Sequence, residues 1–357
     1  MILSNDDDIG RAWLSGLARN PNIPPMLLRR IVDDHRDVLR WPYLDRRVWT
    51  GGQFDALADH PDQRVREWLA EALHVTPEQR ARLVEDPAIQ VLRILALGQD
   101  RFVLAVDTWE PPPALPAWAY DRLLEREPSL LPYLRDNPDA PQYVAYEWPQ
   151  PVEEEDRDPA AYDFPVGPDE RIPPVRWAVG TTDPETLREC AHSPHIALRR
   201  SVARNRNLPA GLIALLAEDD DFAVRLMLCE SHRDVPPEAL LRVYLEATTM
   251  SHFTLQGHPA FPRTGLARLA DSPDPKARAL VTRDPDAGTE VIDRLSRDPD
   301  PTVRARAAAD PRLSFERLGE LLDDLSVAAP AAANPRVSQG FMERVVREAA
   351  APGSPSA

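Results

Sequence analysis

Leu295-Ser-Arg-Asp-Pro-Asp-Pro-Thr-Val-Arg304, followed at once by Ala305-Arg-Ala-Ala-Ala-Asp-Pro-Arg-Leu-Ser314, decides the fold, because both phrases return along the chain. The first returns as Leu57-Ala-Asp-His-Pro-Asp-Gln-Arg-Val-Arg66, Val84-Glu-Asp-Pro-Ala-Ile-Gln-Val-Leu-Arg93, Cys190-Ala-His-Ser-Pro-His-Ile-Ala-Leu-Arg199, Leu216-Ala-Glu-Asp-Asp-Asp-Phe-Ala-Val-Arg225 and Leu269-Ala-Asp-Ser-Pro-Asp-Pro-Lys-Ala-Arg278. The second, Asn/Asp-Pro-x-apolar-Pro/Ser, is present at Asn20, Asn137, Asn205, Ser231, His258, Asp284, Asp310 and Asn334. Aligned on Pro259, its later copies fall at 206, 233, 259, 285, 311 and 335, intervals of 27, 26, 26, 26 and 24 residues. A fixed period of this length marks a repeat architecture.

One repeat reads as two short helices. Asp86, Ser193, Ser272 and Asp298 each precede a proline, the pattern of an N-cap acceptor before a first helical residue that needs no N–H. Spacing such as Val303 to Ala307 suits the helix that follows. Asn/Asp-Pro then ends it and opens a second, longer one, such as Leu208-Pro-Ala-Gly-Leu-Ile-Ala-Leu-Leu216. A hairpin this small cannot bury its own apolar face, so it stacks on its neighbours. The expected fold is all-α, a curved α-solenoid of helical hairpins of about 26 residues.

The phrases Leu-Ala-x-Asp-Pro-Asp-x-x-Val-Arg and Asn-Pro-x-Leu-Pro resemble the variant leucine-rich repeat, a cousin of HEAT-like helical repeats. The resemblance is clearest at 57–97 and 174–345 and partial at 10–32. It implies a right-handed superhelix in which α-helices alternate with short 3-10 helices, although a period near 26 leaves room for ordinary paired α-helices. Some members carry an N-terminal cysteine cluster that holds an iron–sulfur centre. No cysteine precedes Cys190 here, so no cofactor is carried over.

The expected organisation is a cap and first repeats at 1–97, degenerate repeats at 98–148, an acidic Pro-rich insertion at 149–171, a regular block at 172–346 and a disordered tail at 347–357. The chain carries 39 prolines against 14 glycines and a net charge of -16 over 357 residues. Glu147–Glu170 holds nine carboxylates and one arginine, half of that charge. Such an acidic chain repels nucleic acid and anionic membranes. No stretch approaches the ~18 apolar residues of a membrane span, and the acidic start Met1-Ile-Leu-Ser-Asn-Asp-Asp-Asp does not read as a secretory signal. Two cysteines, Cys190 and Cys229, fit a reducing, cytoplasmic setting.

Three constellations are candidates for chemistry. Cys190, His192, His195, Cys229 and His232 have the ligand types of a zinc site. The repeat register argues against metal: Cys190 stands where Leu216 and Leu269 stand, Cys229 where Ala203 and Ala308 stand, and His232 falls in the turn beside Arg206 and Pro311. The arginines closing each phrase, Arg66, Arg93, Arg176, Arg199, Arg225, Arg278 and Arg304, form either a phosphate-tracking row or a structural ladder. Asp62, Asp221, Asp274 and Asp300, four residues earlier, favour the ladder, paired at i,i+4 or across to the next repeat. Trp109, Trp118 and the run Glu153-Glu-Glu-Asp156 are the candidate partner-binding residues, while Trp41, Trp49 and Trp68 read as core.

No nucleophile elbow, P-loop, dinucleotide fingerprint or zincin motif is present. The expected function is therefore non-catalytic: a scaffold that binds another protein or peptide on its repeat surface. A nucleic-acid binder or alkylpurine DNA glycosylase of the HEAT-like type is the first alternative, and it requires a basic groove. Metal binding through Cys190, His192, His195, Cys229 and His232 is the second.

Overall fold

The computed structural model describes residues 5–35, 48–72, 74–98, 114–137, 140, 174–248 and 255–349. All regular structure among them is helical, with no strand. The chain divides into two compact units. One comprises residues 1–99, 112–145 and 263–357; the other comprises 100–111 and 146–262. The regular block is thus shared between the two, and the stretch from 263 onward groups with the N-terminal repeats.

The first unit contains α1 (Asn5–Leu17), α2 (Pro25–Asp34), α3 (Gly51–Ala58), α4 (Gln63–Glu71), α5 (Pro77–Ala81), α6 (Ile89–Leu97), α7 (Ala117–Arg126) and α8 (Leu131–Asp136). The second contains α9 (Arg176–Gly180), α10 (Pro184–Ala191), α11 (Ile196–Val202), α12 (Ala210–Leu216), α13 (Phe222–Ser231) and α14 (Pro237–Glu246). The first unit resumes with α15 (Pro275–Leu280), α16 (Thr289–Leu295), α17 (Pro301–Ala308), α18 (Phe315–Leu322), α19 (Ala328–Ala332) and α20 (Gln339–Ala349). Turns of 3-10 helix at Arg82–Glu85, Pro128–Leu130, Leu266–Leu269 and Val281–Arg283 extend or replace some helices, without strict alternation. None of the described helices is long and apolar enough to cross a membrane.

The local start signals differ from the sequence reading by two residues. Asp86, Ser193, Ser272 and Asp298 do not cap helices; they accept the N–H of Ala88, His195, Asp274 and Asp300 and form the turn before each helix. Where the residue two places on is an aspartate, that residue is the cap; Ala88 and His195 make no such bond. Asp62, Asp221, Asp274 and Asp300 accept backbone N–H groups inside α4, α13, α15 and α17. The second helix of a repeat starts differently. Thr50 and Thr76 close capping boxes with Gln53 and Gln79, and Ser314 caps α18. Each helix then buries one stripe, such as Phe54 and Leu57 of α3 or Val65 and Leu69 of α4, against the hairpins beside it.

In several repeats a buried asparagine ties the turn to the preceding hairpin. Asn334 donates through Nδ2 to the carbonyls of Ala308 (2.8 Å) and Asp310 (2.7 Å), and its Oδ1 accepts the N–H of Arg336 (2.9 Å). Asn20 makes the same three bonds, to Ala332 (2.9 Å), to Asn334 (2.7 Å) and from Asn22 (2.9 Å). Its donors therefore reach carbonyls 312 and 314 residues away in sequence as though the last repeat preceded the first. Around this seam Trp13 donates Nε1–H to the Leu322 carbonyl at 2.7 Å and meets Phe341 edge-on at 5.4 Å. Gly16 lets α1 lie directly on α19: a Cβ there would stand 2.1 Å from the Ala329 carbonyl oxygen.

In the second unit Asn205 makes the same bonds to Ala178 (2.9 Å), to Thr181 (2.8 Å) and from Asn207 (2.8 Å). Histidines then take over the position. His232 bonds the Ala203 carbonyl through Nε2 at 2.9 Å; His258 bonds the His232 carbonyl through Nε2 at 2.8 Å and accepts the Ala260 N–H at Nδ1 (3.0 Å). His232 is thus the counterpart of Asn205 and Asp310, one residue off the register read from the sequence. The bonding of His258 demands a neutral ring with its proton on Nε2. Burial pushes both imidazoles below their usual range. For His232 the Ala203 carbonyl and Asp234 oppose burial; for His258 the His232 carbonyl opposes it and the Arg233 charge adds to it.

The sign of the pH effect follows. An unfolded histidine takes up a proton near pH ~6.5, whereas these two stay neutral to lower pH in the fold. Acidification from about pH 7.5 to about pH 5.5 therefore favours unfolding. His258→Asn keeps a donor and an acceptor but cannot titrate. It is expected to shrink the fall in melting temperature over that interval, read by circular dichroism; a fall as large as in the parent would remove His258 from the cause.

Candidate functional site

In the first unit, α16 and the turns leading into α18 and α20 enclose a cleft of about 600 Å³, lined by Glu290, Asp293, Arg294, Arg297, Arg312 and Arg336 among others. Four arginines line it beside two carboxylates, and Asp271 and Asp310 pair with two of the four, so the arginines are met by an equal number of acids.

Arg312 is structural. Its Nε and Nη2 clamp Asp310 at 2.9 and 2.7 Å, and its Nη1 and Nη2 reach the carbonyls of Asp284, Ala287 and Thr282. Among the described residues the other three guanidiniums are each bonded through Nη1 alone. Arg294 meets Asp271, Arg297 meets Asp293 and the Asp293 carbonyl, and Arg336 meets the Leu313 carbonyl at 2.7 Å. Their Nε–H and Nη2–H edges, the fork that grips a carboxylate through two parallel bonds, remain open. Arg336 lies with Cζ 3.7 Å from the centroid of Phe315, a cation–π stack on a ring that is 66% exposed.

The carboxylates lining the cleft are not equivalent. Burial pulls Asp293 upward, but hydrogen bonds from Ser314 and Arg297, with the Arg297 charge, hold it below the usual carboxylate range. It stays ionised and spent on its neighbours. Glu290 is exposed at the start of α16.

The residues singled out from the sequence are distributed elsewhere. Arg66, Arg199 and Arg278 each clamp an acid of the following repeat, Asp86, Asp219 and Asp298, through Nε and Nη2, while Nη1 binds carbonyls of the turn before their own helix. Between the two pairings left open, i,i+4 and the next repeat, these three make the second. Arg225 pairs with Glu246, and Arg304 reaches Ser326 at 3.2 Å. Arg93 lies 5.8 Å from the Tyr133 ring, and Arg176 is exposed at the start of α9. Trp118 is 56% exposed on α7, and Trp49 is buried. Trp109, Trp41 and Glu153, Glu154, Glu155 and Asp156 lie outside the described residues.

Burial raises the Cys190 thiol to about 11 and the Cys229 thiol to about 12, so neither offers a thiolate near neutral pH. His192 bonds the Arg188 carbonyl through Nδ1, and His195 stands at the start of α11. Among the described residues no three of His, Cys, Asp or Glu are grouped to hold a metal ion.

The cleft arginines and Phe315 escaped the sequence reading. For Arg312 and Arg336 the signal is a departure from the repeat, since the third position of the turn phrase is Asn22, Asn207 and Asp286 in other copies; Arg294 gives no such signal, recurring at the repeat spacing as Arg268 and Arg242. No family model, curated protein or solved structure matches this chain.

Proposed function

We propose that this chain is a non-catalytic scaffold, an α-solenoid of the variant leucine-rich or HEAT-like type that works in the cytoplasm and binds another protein on the surface carrying the cleft. One observation carries the reading: the exposed Phe315–Arg336 stack stands beside open guanidinium forks. Aromatic and arginine side chains dominate the energetics of protein interfaces, and the Phe315 side chain is exposed rather than packed in the core. The net charge of -16 gives less support to nucleic acid, which carries a charge at every phosphate, as the partner.

The test is affinity purification of the tagged chain from its native host beside a Phe315→Asp variant. The substitution changes an exposed ring, so the variant is expected to melt like the parent. A protein recovered in stoichiometric amount with the parent and lost with the variant supports the scaffold. Recovery of nucleic acid, of the chain alone, or of the same proteins with both chains counts against it.

A further inference from the structure

The geometry points to an extended acidic peptide segment as the occupant of the cleft between α16, α18 and α20, an inference that rests on the scaffold reading. Arg294 and Arg297 stand one turn apart on or just beyond the end of α16, and Arg336 enters from the turn before α20. Each leaves its Nε/Nη2 fork unbonded, because the contact it does make uses Nη1. A guanidinium fork matches the two oxygens of a carboxylate. Open forks that come from two different repeats across a 600 Å³ cleft suit several anionic groups along a chain better than one compact ion, which would need the forks to converge.

The surroundings fit the same ligand. Asp293 is held by Ser314 and Arg297 and does not close the forks of Arg294 or Arg336. Phe315, stacked under Arg336, fixes that guanidinium plane and offers apolar surface for the stems of glutamate or of a neighbouring apolar residue. A segment lying there would replace water on donors that no group among the described residues satisfies.

The experiment titrates the full chain into a fluorescein-labelled peptide of alternating aspartate and glutamate, read by anisotropy, with the Asn/Gln analogue as control. The acidic peptide is expected to bind, the analogue to bind at least about tenfold more weakly, and rising salt to weaken the complex. Arg297→Glu/Arg336→Glu is expected to cost at least about tenfold, while Arg188→Glu, an exposed arginine of the second unit, leaves the affinity unchanged. Should loss of the Arg336–Leu313 bond unfold the double variant, Arg294→Glu/Arg297→Glu asks the same question with two exposed side chains.

Equal binding of the analogue, or equal weakening by Arg188→Glu, overturns the proposal. So does complete displacement of the peptide by inorganic phosphate at constant ionic strength, which would make the cleft a phosphate site. Failure of the acidic peptide to bind, with Phe315-dependent capture of a partner intact, would overturn the acidic ligand and leave the scaffold standing.

Discussion

Gly16→Leu is expected to lift α1 off α19 and to lower the melting temperature of the whole chain by about 4 °C. The obstacle is a backbone atom: even a Cβ at Gly16 would meet the Ala329 carbonyl oxygen at 2.1 Å and the Ala332 methyl at 2.7 Å. Overpacking costs about 1–3 kcal/mol when side chains can yield, and a carbonyl held in a helix yields less. As α1 moves away, the Asn20 donors leave the carbonyls of Ala332 and Asn334, and Trp13 leaves Leu322. A total of about 3 kcal/mol corresponds to about 4 °C for a chain of 357 residues. Hydrogen exchange gives the sharper reading, because α1 and α19 lie some 300 residues apart in the chain and are expected to lose protection together. Loss in α1 with α19 still protected, or an unchanged melting temperature, would show that the two ends do not stabilise each other.

What the sequence made legible follows from what a repeat imposes. Helices, the period and the apolar positions recur because every hairpin solves the same packing problem, so Leu57, Leu216 and Leu295 are buried alike. The caps were displaced because an Asp or Ser before proline suits an N-cap and a turn equally well; only the backbone shows that Asp298 bonds Asp300 while Asp300 caps α17. The seam was hidden for a different reason. Asn20 carries the ladder signature, yet a pattern local in sequence cannot say that the hairpin before it is the last one. His232 and His258 were read as ligand or turn residues because their likeness to asparagine lies in where donor and acceptor sit, not in their chemistry class. Arg297, Phe315 and Arg336 escaped because a reading built on the repeat marks the positions that recur.

The second large effect belongs to the arginine row. Arg66→Ala is expected to destabilise the first unit by about 3–5 kcal/mol, the usual cost of breaking a buried ion pair from one side. Arg66 bonds Asp86 at 2.6 and 3.2 Å and the His60 carbonyl at 2.6 Å, and both side chains are nearly inaccessible. Alanine would strand a buried carboxylate and leave that carbonyl without this donor. Lysine keeps the charge but cannot supply the fork, so Arg66→Lys is expected to recover only part of the loss. Removing the acid as well, in Arg66→Ala/Asp86→Ala, should cost less than the sum of the single changes, since no charge is then stranded. The control is Arg294→Ala, whose pair with Asp271 is exposed and worth no more than about 1 kcal/mol. Calorimetric or chemical melts of these variants separate the two roles open to the row. If Arg66→Ala melts with Arg294→Ala, the fork holds nothing together and the row is free for a ligand. If it melts far below, Arg66, and by the same bonding Arg199 and Arg278, is committed twice, to its own turn and to the acid of the next repeat, and a ligand would have to be met where that bonding is absent, at Arg294, Arg297 and Arg336.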